Sequence, residues 1–168
     1  MNAGLFDLTG KNALVTGGAQ GLGRMIAEGL LRAGATVAIT SRKADICEAA
    51  ASEMAALGKC IALPADLSTP EAAVDLAQRY RETVGGTLHV LVNNAGKTWG
   101  GTVDTFPDKA WPGVMMVNVQ TPFTLVRELL PELTAAGTPD DPARVINIGS
   151  IAGATTAKLS AYSYSASK

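Results

Sequence analysis

Asn12-Ala13-Leu14-Val15-Thr16-Gly17-Gly18-Ala19-Gln20-Gly21-Leu22-Gly23 is an apolar run that breaks into glycines and then opens a helical pattern. The run Asn12–Thr16 is short and almost continuously apolar, as expected of a strand covered on both faces. Glycines after such a strand permit a tight turn and let the backbone approach a pyrophosphate. A helix beginning near Gly21 then points its free N–H groups at that anion. A glycine pattern alone would also suit an ordinary βα turn. Its position between the first strand and the first helix favours the phosphate-binding reading.

The same alternation continues outward from this turn. Thr36–Thr40, Cys60–Pro64, Leu88–Asn93 and Arg144–Gly149 read as further buried strands. Gly21–Ala33, Lys43–Leu57 and Pro70–Val84 read as helices, with Ala73, Leu76, Ala77 and Tyr80 at helical spacing. Pro70 suits a first helical turn, with Ser68 or Thr69 as its cap. The segment from about Pro107 to Ala136 is less regular. Pro112 and Pro122 should break or bend it, leaving Gly113–Val119 and Thr124–Leu133 as helical candidates. Alternating strands and helices predict an α/β fold with a doubly wound parallel sheet in the order 3-2-1-4-5. The chain is too short for a (β/α)8 barrel. No linker divides it, so residues 1–168 are expected to form one domain. Gly137–Pro142 reads as a polar surface loop.

Composition narrows the function classes. With 14 Lys+Arg against 15 Asp+Glu, the net charge is -1. That balance gives no electrostatic case for nucleic acid or for an anionic membrane. No apolar stretch reaches the roughly 20 residues that span a bilayer. The start lacks a secretory pattern, so a cytoplasmic protein is expected. Cys47 and Cys60 sit in no metal or CxxC spacing and read as small buried hydrophobes; no metal site is expected.

Tyr164 and Lys168 stand four positions apart, one turn from each other on a helix. An ammonium beside a phenol favours the ionised phenol, which makes Tyr164 a candidate proton donor and acceptor. Tyr162 competes for that role, but only Tyr164 has a lysine four residues later. His89 begins the fourth strand, at the end opposite the expected cleft, and reads as a surface residue. Trp99 and Trp111 read as packing or pocket-wall residues.

The spacing Thr16-Gly17-x3-Gly21-x-Gly23 resembles the short-chain dehydrogenase/reductase family, in its compact single-domain branch. Asp66-Leu67 after the third strand, Asn93-Asn94-Ala95-Gly96 at the end of the fourth, Asn118 in Val117-Asn118-Val119, Ser150, Tyr164 and Lys168 match the family's motifs in order. The resemblance covers essentially the whole chain. It implies cofactor contacts from Gly17, Gly21, Leu22, Gly23, Asp66, Leu67, Asn94, Ala95 and Gly96, joined by Tyr164 and Lys168. It implies a catalytic set of Asn118, Ser150, Tyr164 and Lys168. Tyr164 would protonate the carbonyl oxygen as hydride arrives at carbon. Lys168 would hold the nicotinamide ribose, Ser150 would polarise the carbonyl, and Asn118 would hold a water linking Lys168 to solvent.

An acidic residue after the second strand would select NADH by bonding a ribose hydroxyl. That place reads Thr40-Ser41-Arg42-Lys43, with no carboxylate. Arg42 offers a fork of donors suited to a 2′-phosphate, so NADPH/NADP+ is expected over NADH, with Ser41 and Arg42 as its readers. The runs Asp141–Arg144, Ile146–Gly153 and Ala161–Tyr164 resemble 3-oxoacyl-[acyl-carrier-protein] reductases, including those of rhamnolipid pathways. A 3-oxoacyl thioester is therefore the expected substrate. Another ketone or secondary alcohol, or NADP(H) binding without turnover, stays open.

The resemblance implies further strands and a substrate-covering segment after Lys168, so the sequence reads as C-terminally truncated and catalytically weak. A nine-residue stretch such as Ser160–Lys168 makes a marginal helix by itself. The fifth strand would be an open sheet edge. For a full-length protein the resemblance implies a homo-oligomer.

Overall fold

Ala13, Leu14 and Val15 are 0% exposed, a burial that requires cover on both faces of their strand. They lie in β1 (Asn12–Val15), the middle strand of a five-stranded sheet. The structure is a computed structural model and describes residues 4, 6–155 and 160–168.

The other strands are β2 (Thr36–Ile39), β3 (Cys60–Ala62), β4 (Val90–Asn93) and β5 (Arg144–Asn147). All pair in parallel, in the order β3-β2-β1-β4-β5. The register aligns Leu14 with Ala38 on one side and with Leu91 on the other. Chain order reverses between β1 and β4, and a crevice opens there at the carboxyl ends of the strands. The expected doubly wound fold and strand order are those observed.

Alternating side chains feed two cores, as the period of a strand dictates. Ala13, Val15, Val37 and Ile39 pack with Ala27 and Leu31 of α1 (Gly21–Arg32) and with Cys47 and Met54 of α2 (Ala44–Met54). Leu14, Ala38 and Leu91 pack with Leu76 and Tyr80 of α3 (Pro70–Thr83) and with Leu125 of α5 (Thr121–Glu128). Both thiols are free, and burial pushes Cys60 up to about 11.

Thr69 caps α3, its hydroxyl accepting the Ala72 N–H at 3.3 Å with Pro70 next in line. Ser68 does not cap; it donates to Asp66 instead. The segment after Pro107 departs from expectation. Helix runs through α4 (Ala110–Met115), a π turn (Met116–Gln120), α5 and α6 (Leu130–Ala136). Neither Pro112 nor Pro122 breaks it. Pro112 sits in the first turn of α4, where an N–H has no intrahelical partner. Pro122 follows the π turn, in which the Thr121 N–H reaches back five residues to the Met116 carbonyl. That wider turn absorbs the proline without a break.

Helix α7 (Tyr162–Ser167) packs beside a 3-10 turn at Ile151–Gly153. All four β5 residues are exposed, with β4 their partner in the sheet. At the far end of the strands, Asp141 bonds Lys11 at 2.5 Å and Arg144 at 2.8 Å, which pulls its carboxyl down to about 2. No described helix is long and apolar enough to cross a membrane.

Candidate functional site

The turn after β1 is built for close approach. Gly17 and Gly21 adopt φ of +65° and +53°, a region that favours glycine. Gly23 lies under this turn, and a Cβ there would collide with the Gly17 carbonyl oxygen and the Asn94 side chain. The first turn of α1 has no side-chain cap and no acidic residue, so its N–H groups stay free for an anion.

Thr16 ties this turn to the end of β4. Its Oγ1 accepts the backbone N–H groups of Asn94 and Ala95, each at 3.0 Å. The Asn94 amide donates back to the carbonyls of Thr16 at 3.0 Å and Gly17 at 3.3 Å. A cavity of about 780 Å³ opens here, lined by Gly17, Ser41, Arg42, Asp66, Leu67, Asn94, Ala95 and Gly96 among others. Gly21, Leu22 and Gly23 do not line it. Leu22 faces outward at 55% exposure, and Gly23 serves packing beneath the turn.

Trp99 lines this cavity, in keeping with a pocket-wall residue; Gln20, Thr40, Lys97 and Val117 also line it and were not singled out as site residues in the sequence. Only their adjacency to a motif could have indicated them. The Leu67 carbonyl accepts a 2.9 Å bond from Thr121 Oγ1, which joins the Asp66-Leu67 loop to α5.

Asn118 stands inside the π turn. Its Oδ1 accepts the Lys97 N–H at 2.8 Å, and its Nδ2 donates to the Lys97 carbonyl at 2.9 Å and to Ser167 Oγ at 2.8 Å. Ser167 Oγ in turn donates to the Tyr164 carbonyl at 2.7 Å. No sequence signal marked Ser167. Lys168 Nζ lies 5.9 Å from the centroid of the Tyr164 ring and donates to the Ile148 carbonyl at 2.6 Å. A second cavity of about 440 Å³ lies between Asn118, Phe123, Asn147, Gly149 and Lys168. Ser150 and Tyr164 are not among the residues lining either cavity.

The Ser150 hydroxyl accepts the Ala152 N–H at 3.2 Å and caps the 3-10 turn. Gly153 of that turn touches the Lys168 backbone so closely that no side chain fits. Asn118, Tyr164 and Lys168 are thus brought together through α7, with the Ser150 turn packed beside them.

His89 sits away from this site, as expected. Its Nδ1 accepts the Asn12 N–H at 3.0 Å. Desolvation and the nearby Lys11 cation hold His89 below the ordinary histidine range, against an opposing pull from Asp141.

Comparison with known proteins gives four matches. Residues 11–168 match the family model described as short chain dehydrogenase. The chain is 47% identical over 163 residues to the rhamnolipids biosynthesis 3-oxoacyl-[acyl-carrier-protein] reductase of Pseudomonas aeruginosa, covering 97% of this chain and 63% of that protein. Its fold overlays the Pseudomonas aeruginosa RhlG/NADP active-site complex with a TM-score of 0.93 at 46% identity, covering 96% of this chain and 63% of that one. A 3-oxoacyl (acyl-carrier-protein) reductase from Agrobacterium tumefaciens C58, solved with NADP bound, matches with a TM-score of 0.86 at 30% identity, over 99% of this chain and 62% of that one. The chain therefore spans somewhat under two thirds of the length of these relatives.

Proposed function

Because the chain belongs to the short-chain dehydrogenase family, we propose that it is an NADP(H)-dependent oxidoreductase that reduces a ketone, with a 3-oxoacyl thioester as substrate. The observation that carries this is the position of α7. It brings Tyr164 and Lys168, one turn apart, beside Asn118 and the cavity at the carboxyl ends of β4 and β5.

The residues present fit the dinucleotide. The uncapped start of α1 and the positive-φ glycines suit a pyrophosphate. Ser41 and Arg42 line the adenine end of the larger cavity with no carboxylate in that stretch, which favours a 2′-phosphate. The similar proteins solved with NADP support the same cofactor.

When bound, the nicotinamide supplies the hydride. Tyr164 supplies the proton to the oxygen as that carbon is reduced. Ser150, whose oxygen accepts the Ala152 N–H while its O–H stays free among the described residues, donates a hydrogen bond that polarises the carbonyl. Lys168 holds the ribose, and Asn118 steadies the turn beside it. The 3-oxoacyl assignment rests on the 47% identical relative.

A second reading, binding without turnover, has specific support. Ser150 and Tyr164 line neither cavity, whereas Gly17, Ser41, Arg42 and Asn94 line the larger one. Measuring NADPH affinity and NADPH oxidation with a 3-oxoacyl thioester on one sample separates the two. Binding with turnover supports the reductase. Binding alone supports the second reading. No NADPH binding overturns both.

A further inference from the structure

We propose that Phe106 is a positioning residue for Tyr164, acting through Tyr162; the link to catalysis rests on the reductase reading above. Tyr164 lies in the first turn of α7, whose N-cap, Ala161, offers no side-chain bond. The start of the helix is therefore held from outside.

The carboxyl end is held by polar groups. Asn118 reaches Ser167, Lys168 reaches the Ile148 carbonyl, and Gly153 packs under the Lys168 backbone. The amino end is held by the loop that follows Gly96. Gly101 N–H donates to the Ser160 carbonyl at 2.8 Å. The Phe106 ring meets the Tyr162 ring edge to face, with centroids 5.2 Å apart and planes at 82°. On its other side Phe106 meets Trp111 of α4 at 6.1 Å and 70°.

Phe106 is thus the middle ring of three, joining α7 to α4. Such pairs contribute about 0.5–1.5 kcal/mol each beyond their area. The loop itself is anchored twice. Asn118 clamps the backbone of Lys97, and Thr102 and Thr105 close a turn through their hydroxyls at 2.7 Å. Tyr164 lies between the two attachments of α7, two residues from Tyr162. Removing the Phe106 ring leaves the amino end of α7 on the Gly101 bond alone while the carboxyl end keeps its polar contacts, which lets the turn that carries Tyr164 shift.

The test uses the full chain with Phe106→Ala, Phe106→Leu and Phe106→Tyr. Amide hydrogen exchange is read at Ser165, whose N–H donates to the Ala161 carbonyl at 2.9 Å in the first turn of α7, with the β1 amides as internal control. Phe106→Ala should raise α7 exchange about tenfold with β1 unchanged. NADPH affinity should stay within about twofold while kcat falls about tenfold, as misplacement of one reacting group predicts. Phe106→Tyr, which keeps the ring, should restore both readouts. Unchanged α7 exchange in Phe106→Ala overturns the proposal, and so does an equal rise in β1. If Phe106→Ala does not fold, Phe106→Leu decides by the same criteria. Exchange needs no turnover, so it tests the brace even where the reductase reading fails.

Discussion

Thr16 Oγ1 accepts the Ala95 N–H at 3.0 Å, joining the end of β1 to the end of β4 across the point where chain order reverses. Thr16 is 2% exposed, so no water replaces that acceptor. Thr16→Val keeps the shape and removes the oxygen. It should cost about 1–3 kcal/mol, the range for an orphaned buried donor. Thr16→Ser should recover most of it, and urea unfolding of both variants measures the difference.

Gly23 has no room for a methyl group between the Gly17 carbonyl and the Asn94 amide. Gly23→Ala must push the phosphate turn outward. NADPH affinity should fall at least tenfold, about 1.4 kcal/mol, as read by fluorescence titration. Gly29 serves as control, since a Cβ there meets nothing within 4 Å.

Ser41 and Arg42 face the larger cavity. A carboxylate at position 41 would repel a 2′-phosphate and accept from a ribose hydroxyl instead. Ser41→Asp should shift the NADPH/NADH ratio of kcat/KM toward NADH by about tenfold or more, the size of one lost charge-assisted contact. An unchanged ratio would assign cofactor choice elsewhere.

Tyr162 and Tyr164 separate cleanly in the structure. Tyr162 packs on Phe106, whereas Tyr164 carries the Lys168 ammonium over its ring. Tyr164→Phe should lower kcat by 10²-fold or more, roughly the worth of a positioned acid, with NADPH binding kept. Tyr162→Phe retains the ring and should stay near wild type.

His89 is the only histidine in the chain, so a stability change near pH 6 can be assigned to it. Its folded form holds the proton less readily than the unfolded chain. The unfolded state therefore binds more protons as pH falls through about 6.5, and stability falls with it. Above that value the contribution is fully present. Denaturant midpoints should drop between pH 7 and pH 5, and His89→Asn should flatten the slope. A separate loss belongs to Asp141, whose stabilising ion pairs disappear as pH falls below about 4 toward its folded value.

The strand order was legible because Leu14, Ala38 and Leu91 sit in continuous apolar runs, each followed by a helical pattern. Helix continuity at Pro122 was not legible. A proline signals a missing N–H, but nothing local says whether a break or a π turn will absorb it. Asn94 and Ala95 could be named from their motif, while their bonds to Thr16 depend on a contact 78 residues away in sequence. Gly21, Leu22 and Gly23 show the converse. A motif marks residues that shape a turn as readily as those that face its cavity. Ser167 and Phe106 carried no signal, because each matters only through a neighbour that folding supplies.

The bond from Thr121 to the Leu67 carbonyl has a mechanical consequence. Thr121 begins α5 directly after the π turn that holds Asn118. The Asp66-Leu67 loop and Asn118 are therefore fastened to one continuous rod. Whatever tightens that loop is transmitted along the rod to Asn118, and through Ser167 to α7. A displacement of the Asp66-Leu67 loop therefore pulls on the same rod that holds Asn118.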